Sequence, residues 1–172
     1  ILVVVAALAV SWTLVRRSMA MFALGGGLLG ALTLIQKATG RFDIDFFGLA
    51  RTDYGTIYGS VSDARAAGPV GDPNFYGQIL VIAFPLAAFL AWSAQRKLHR
   101  LLYLAAAALV AIGTALTYSR GAMLALAVTA ALTVVLLKVR LVHVAALAIL
   151  AVLVAPPNMT RRLMTLDRNE GV

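Results

Sequence analysis

Long apolar stretches dominate this sequence and restrict what it can fold into. A helix that crosses a bilayer needs about 20 mostly apolar residues, because the hydrocarbon core is roughly 30 Å thick. Its backbone must also satisfy its own hydrogen bonds in lipid. We therefore predict an all-α, polytopic transmembrane helical bundle that forms a single membrane domain over residues 1–172, with about six spans. The six stretches are Ile1–Val15, Met19–Gln36, Phe75–Ala94, Leu101–Tyr118, Ala122–Leu137 and Leu141–Ala155.

The composition excludes a soluble domain. Hydrophobic residues make up 62% of the chain and charged residues 13%, whereas soluble domains carry roughly 45–50% apolar and about 25% charged residues. The sequence contains no cysteine, which excludes disulfides and thiolate metal sites in this chain.

Both ends indicate a piece of a larger protein. The first apolar stretch has 15 residues and would cover only about 22 Å as a helix, less than the hydrocarbon core. No basic segment precedes it and no small-residue cleavage site follows it, which argues against a signal peptide. The polar segment 156–172 resembles the start of a second large loop. We expect the chain to lack its beginning and its end.

The placement of charge predicts the orientation of the spans. If the spans alternate in direction, one side of the membrane receives seven basic residues and no acid, while all seven acidic residues fall on the other side. Short cytoplasmic loops are enriched in Lys and Arg, so the basic side is expected to be cytoplasmic. The net charge of +8 is thus a topology signal rather than a nucleic-acid footprint. The seven basic residues are Arg16, Arg17, Arg96, Lys97, Arg100, Lys138 and Arg140.

A long extracytoplasmic loop, residues 37–74, contains five of the seven acidic residues and several aromatic residues. The aromatic side chains either anchor the loop among lipid headgroups, which we favour, or stack on sugar rings. Asp43 and Asp45 resemble the start of a calcium loop, but Phe46 and Phe47 follow, so we predict no metal site.

The glycine-rich segment Gly25–Gly30 lies inside an apolar stretch. A phosphate-binding loop would need a preceding strand and a following Lys-Ser or Lys-Thr pair, and neither is present. Gly26 and Gly30 instead form a small-xxx-small face, which predicts close packing against another helix.

Two short motifs mark the extracytoplasmic ends of predicted spans. Asp72 and Pro73 are typical of a helix start, because Asp caps exposed N–H groups and Pro suits the first helical position. Arg120 lies in a tight extracytoplasmic turn, against the usual charge bias. Its side chain either extends to the headgroups or marks a path for substrate or ions.

In this order and on this side of the membrane, these motifs resemble those of the O-antigen ligase and O-antigen polymerase superfamily, whose members are C-type membrane glycosyltransferases. The similarity covers about residues 63–166, and Pro156–Leu166 is similar to the start of the family's large periplasmic loop. The matching residues are Arg65 and Gly68; Asp72, Pro73 and Asn74; Ser119, Arg120 and Gly121; and Arg161, Arg162 and Leu163.

The resemblance implies a glycosyltransferase in the bacterial cytoplasmic (inner) membrane, active at its outer face and needing no metal or cofactor. The donor would be a glycan on undecaprenyl pyrophosphate, and the acceptor a hydroxyl of lipid A core, another surface molecule or a growing polysaccharide. Arg65 and Arg120 would act as catalytic residues on the pyrophosphate. The expected substrate-binding residues are Asp72, Asn74, Ser119, Arg161 and Arg162.

The family also uses a loop His as base, and neither His99 nor His143 matches it, so this piece alone is expected to be inactive. The resemblance does not distinguish a ligase from a polymerase. Two alternatives stay open: a transporter of an anionic solute, and a non-catalytic subunit of a polysaccharide assembly complex.

Overall fold

The computed structural model describes residues 11–54 and 64–138. These residues form four helices: α1 (Trp12–Thr39), α2 (Pro73–Ser93), α3 (Lys97–Leu116) and α4 (Arg120–Leu137). Two short strands, β1 (Arg51–Asp53) and β2 (Arg65–Gly68), lie between α1 and α2 and pair antiparallel. All four helices are long and apolar enough to cross a membrane.

The structure corrects the expected number of spans. Four helices of spanning length are described, not six. The predicted span at 141–155 lies outside the described residues, as do residues 1–10 of the first one. The break expected between Val15 and Met19 is wrong, because α1 runs through both without interruption. Arg16 and Arg17 therefore belong to the first turns of α1 rather than to a loop.

The described part of the long loop also contains a strand pair, which an all-α description leaves out. The β1–β2 pair brings Arg51 opposite Gly68 and Asp53 opposite Arg65. The strands are too short to leave a periodic signal in the sequence.

Helices α2 and α3 form the centre of the bundle, since each contacts the other three helices and β2. The glycine face of α1 allows the closest approach. A Cβ added at Gly26 would lie 2.6 Å from the Ala83 Cβ of α2. One added at Gly30 would strike the carbonyl oxygen of Leu109 in α3. The packing interpretation of Gly26 and Gly30 is thus confirmed, because a side chain there would push the helices apart.

The bundle has two distinct ends, because successive helices run in opposite directions. We call the end that carries residues 40–54 and 64–72 the loop end; it includes the starts of α2 and α4. We call the opposite end the basic end; it includes the starts of α1 and α3. Arg16 Nη2 in α1 donates a hydrogen bond to the Ser93 carbonyl at the end of α2, over 3.4 Å, which fixes these two helix termini at the same level.

Gln36 attaches the loop to the bundle. Its Nε2 donates to the carbonyls of Ile44 (2.8 Å) and Ala50 (2.7 Å), and its Oε1 accepts from the Thr52 hydroxyl (3.1 Å). The side chain is 3% exposed, so one buried amide near the end of α1 organises the entry into β1.

Candidate anion-binding site at the loop end

Arg65 is the residue around which the loop end converges. It is the first residue of β2 and is half-buried. Its Nε donates to the carbonyl of Thr117 over 3.1 Å, and its Nη2 donates to Asn74 Oδ1 over 3.5 Å. Both acceptors are neutral, so these two contacts orient the guanidinium without cancelling its charge. Three segments meet here: β2, the start of α2 that follows it closely in sequence, and the turn between α3 and α4, whose Thr117 lies 52 residues after Arg65.

The turn between α3 and α4 is fixed by its own hydroxyl groups. Thr117 Oγ1 donates to the Thr114 carbonyl (2.8 Å) and accepts from the Ser119 amide (3.2 Å). Ser119 Oγ accepts from the Ala122 amide over 3.3 Å and caps α4. Tyr118 adopts a left-handed backbone with φ of 52°, an uncommon conformation for a residue with a side chain. These hydrogen bonds hold the turn in one conformation. Thr117 and Ser119 are both buried within it.

Arg120 is the first residue of α4 and is exposed. Arg120 lies three residues after Thr117, whose carbonyl accepts a hydrogen bond from Arg65. The first N–H groups of a helix carry a partial positive charge, so Arg120 adds a full charge where the backbone is already favourable to an anion.

The start of α2 has the predicted architecture. Asp72 Oδ1 accepts from the Phe75 amide over 2.8 Å, and Pro73 is the first helical residue. The expectation that Asp72 and Pro73 begin a helix is confirmed. Asp72 uses this oxygen as a cap, whereas Asn74 is exposed and turned toward Arg65.

Two glycines allow this convergence. Gly68 has φ of +56° and lies directly against the ring of Tyr76, where an added Cβ would collide. Gly77 lies where α2 meets the α3–α4 turn, and a Cβ there would be 2.6 Å from the Ala122 Cβ and 3.2 Å from Thr117 Oγ1. Tyr76 is fully buried and shares a 3.0 Å hydrogen bond with Thr33 of α1.

Lys37 is a cation at this end whose position the sequence did not reveal. Its Nζ lies 5.6 Å from the ring centre of Phe42 and 5.8 Å from that of Tyr118. Such ring faces attract ammonium groups. A cleft beside it, lined by Thr33, Gln36 and Thr52 among others, has room for about one water molecule. The only sequence signal was a basic residue in the last turn of a helix, which does not specify these contacts.

The predicted site residues therefore separate into groups. Arg65, Asn74 and the turn that contains Ser119 are brought together, and Asp72 and Arg120 stand at the adjacent helix starts. Arg161 and Arg162 lie outside the described residues. Within residues 11–54 and 64–138, no group of three or more His, Asp or Glu side chains is placed to hold a metal.

Comparison with known proteins adds no family to this description: the chain matches no known family model, no curated protein and no solved structure.

Proposed function

We propose that this chain is the membrane part of a glycosyltransferase that takes a glycan from an undecaprenyl-pyrophosphate donor. The acceptor would be a hydroxyl of lipid A core, of another surface molecule or of a growing polysaccharide. The loop end would lie at the outer face of a bacterial cytoplasmic membrane. The observation that carries the proposal is the position of Arg65, which joins the Asp72–Asn74 segment to the turn before Arg120.

The chemistry of the donor explains why arginines are suited to this place. The acceptor oxygen attacks the anomeric carbon and gives its proton to a base, a role that the resemblance assigns to a loop His not matched in this chain, while the bond from that carbon to the phosphate oxygen breaks. Negative charge then grows on the departing pyrophosphate. A guanidinium presents two parallel N–H groups to phosphate oxygens and stays protonated at the membrane surface. Donors placed before the charge develops lower the barrier without reorganising.

Some N–H groups of Arg65 orient its side chain, and the others can bind a phosphate. Nε and Nη2 hold it against Thr117 and Asn74, and both of these acceptors are neutral. Asn74 can both steady Arg65 and present its amide N–H groups to a phosphate or sugar hydroxyl. Lys37 adds positive charge beside Tyr118 of the same turn, and Arg120 directly follows that turn, which suits a leaving group with two phosphates.

The first test is glycan transfer by the purified full-length protein, with lipid-pyrophosphate donor and acceptor supplied. We expect Arg65→Ala and Arg120→Ala each to lower transfer by about 10²–10³-fold, the usual cost of losing one charge-stabilising donor. Arg41→Ala is the matched control, because Arg41 is an exposed loop arginine at the same end. It should keep nearly all activity.

Membrane insertion and thermal unfolding of each variant must be measured alongside transfer, so that a folding defect is not mistaken for a chemical one. Wild-type transfer by both arginine variants would remove their proposed roles. Absence of any transfer by the wild-type protein, together with flux of an anionic solute through it, would replace the enzyme with a transporter.

A further inference from the structure

The basic end carries a second cluster of arginines, and it is independent of the proposed function. Arg16 of α1 donates to the Ser93 carbonyl over 3.4 Å, and Arg100 of α3 donates to the Ala94 carbonyl over 3.5 Å. These carbonyls belong to consecutive residues. Guanidinium groups from two helices therefore stand on the same C-terminal end of a third, α2.

Charge is not balanced at this point. The C-terminal end of a helix carries about half a negative charge, whereas the two guanidiniums carry one full positive charge each. Residues 11–39 and 73–138 contain no Asp or Glu. Arg17, Arg96 and Lys97 are also exposed at this end. Capping of α2 thus explains the position of Arg16 and Arg100 but leaves a positive excess.

Aromatic rings place the cluster at the depth of lipid headgroups. Trp12 lies one turn before Arg16 and contacts Phe89 edge to face, with ring centres 6.4 Å apart. Phe89 in turn lies 6.2 Å from Trp92. Trp12 and Trp92 are 60% and 55% exposed, and exposed tryptophans concentrate at the boundary between hydrocarbon and headgroups.

The length of α1 also places Arg16 at the boundary between hydrocarbon and headgroups. The stretch from Arg16 to Gln36 rises about 30 Å along the helix, which is the thickness of the hydrocarbon core. Gln36 is bonded into the loop at the far end, so Arg16 falls at the opposite boundary.

We propose that Arg16 and Arg100 form a binding site for the phosphate of an anionic phospholipid, with Trp12, Phe89 and Trp92 beside it at the boundary between headgroups and hydrocarbon. A guanidinium has five N–H donors, and each recorded contact uses one. Basic pockets between spans are suited to such headgroups. The lipid would tie α1, α2 and α3 together at the basic end, where the acyl chains lie along α1 and α2.

The experiment compares the full-length protein in nanodiscs of phosphatidylcholine with and without phosphatidylglycerol. Phosphatidylglycerol should raise the midpoint of thermal unfolding of the wild type, by mass action on the folded state. The double variant Arg16→Gln/Arg100→Gln should lose most of that rise. Arg17→Gln is the matched control, since Arg17 is the exposed neighbour of Arg16, and it should keep the rise.

Native mass spectrometry supplies a direct measure of binding. Retention of phosphatidylglycerol by the double variant should be weaker by about tenfold or more, because charge-assisted hydrogen bonds to phosphate are lost. The wild type should also retain phosphatidylglycerol in preference to phosphatidylcholine, a measurement that needs no variant to fold.

Three results would overturn the proposal. One is the absence of that lipid preference in the wild type. Another is an equal loss of stability by the double variant in both lipids, which would mean that the arginines only cap α2. The third is the same rise on adding inorganic phosphate to phosphatidylcholine nanodiscs, which would assign the site to a soluble anion.

Discussion

Gly68 is constrained twice at the residue scale, by its backbone and by its neighbour. Its φ of +56° favours glycine, and the ring of Tyr76 occupies the place of a Cβ. Gly71 shares the first constraint, with φ of +77°, but an added Cβ there would meet nothing within 4 Å. Comparing substitutions at Gly68 and Gly71 therefore distinguishes the cost of backbone strain from the cost of a steric clash.

We expect Gly68→Ala to destabilise the fold more than Gly71→Ala. Each should lose about 1–2 kcal/mol from the left-handed backbone. Only Gly68→Ala should lose about 1–3 kcal/mol more, because the Tyr76 ring must move. The change in free energy of unfolding, measured on the purified variants, checks this. Equal losses would show that the ring yields to the new methyl group.

Residues with local partners could be predicted from the sequence, and residues with distant partners could not. Asp72 caps the helix that begins at the next residue, so its role follows from the order Asp-Pro-Asn alone. Gln36 and Lys37 depend on where residues 41–52 and Tyr118 fold back. No local pattern specifies those contacts.

At the element scale, α1 shows why one predicted boundary failed. Arg16 and Arg17 were expected in a loop because charges rarely lie within a span. Arginine is nevertheless a good helix former, and near a helix end its long side chain reaches the surface. The helix therefore continues through both residues, while the apolar stretch that follows them was recognised correctly. The strands β1 and β2 were missed because three or four residues carry no detectable period.

The glycine face of α1 leads to a prediction with a control in the same helix. Gly30→Ala should destabilise the bundle by about 1–3 kcal/mol, since its Cβ would strike the backbone of α3 at Leu109. Gly25→Ala meets nothing within 4 Å and should be neutral, or stabilise by up to about 1 kcal/mol through higher helix propensity.

Thermal unfolding of both variants in the same detergent checks the difference. A similar loss from Gly25→Ala and Gly30→Ala would mean that the α1–α3 contact does not limit stability.

At the scale of the whole molecule, the two ends of the bundle differ in charge, and this difference predicts how the bundle is oriented in a membrane. The described acidic residues, Asp43, Asp45, Asp53 and Asp72, all lie at the loop end. The basic end contains the start of α3, with Lys97 and Arg100. The sequence predicted this division through alternation of the spans, although it misplaced the first boundary. The convergence on Arg65 could only be expected through a family resemblance, because it depends on contacts across about fifty residues of chain.

Orientation can be tested with single thiols, because this chain contains no cysteine. Asp43→Cys and His99→Cys introduce one each, at exposed positions of the loop end and the basic end. The positive-inside bias predicts that a membrane-impermeant maleimide labels residue 43 in intact cells and residue 99 only after permeabilisation. Labelling in the reverse order would place Arg65 and Arg120 inside the cell. A lipid-pyrophosphate glycan presented at the outer face could then not reach them, and the proposed transfer would fail on geometry alone.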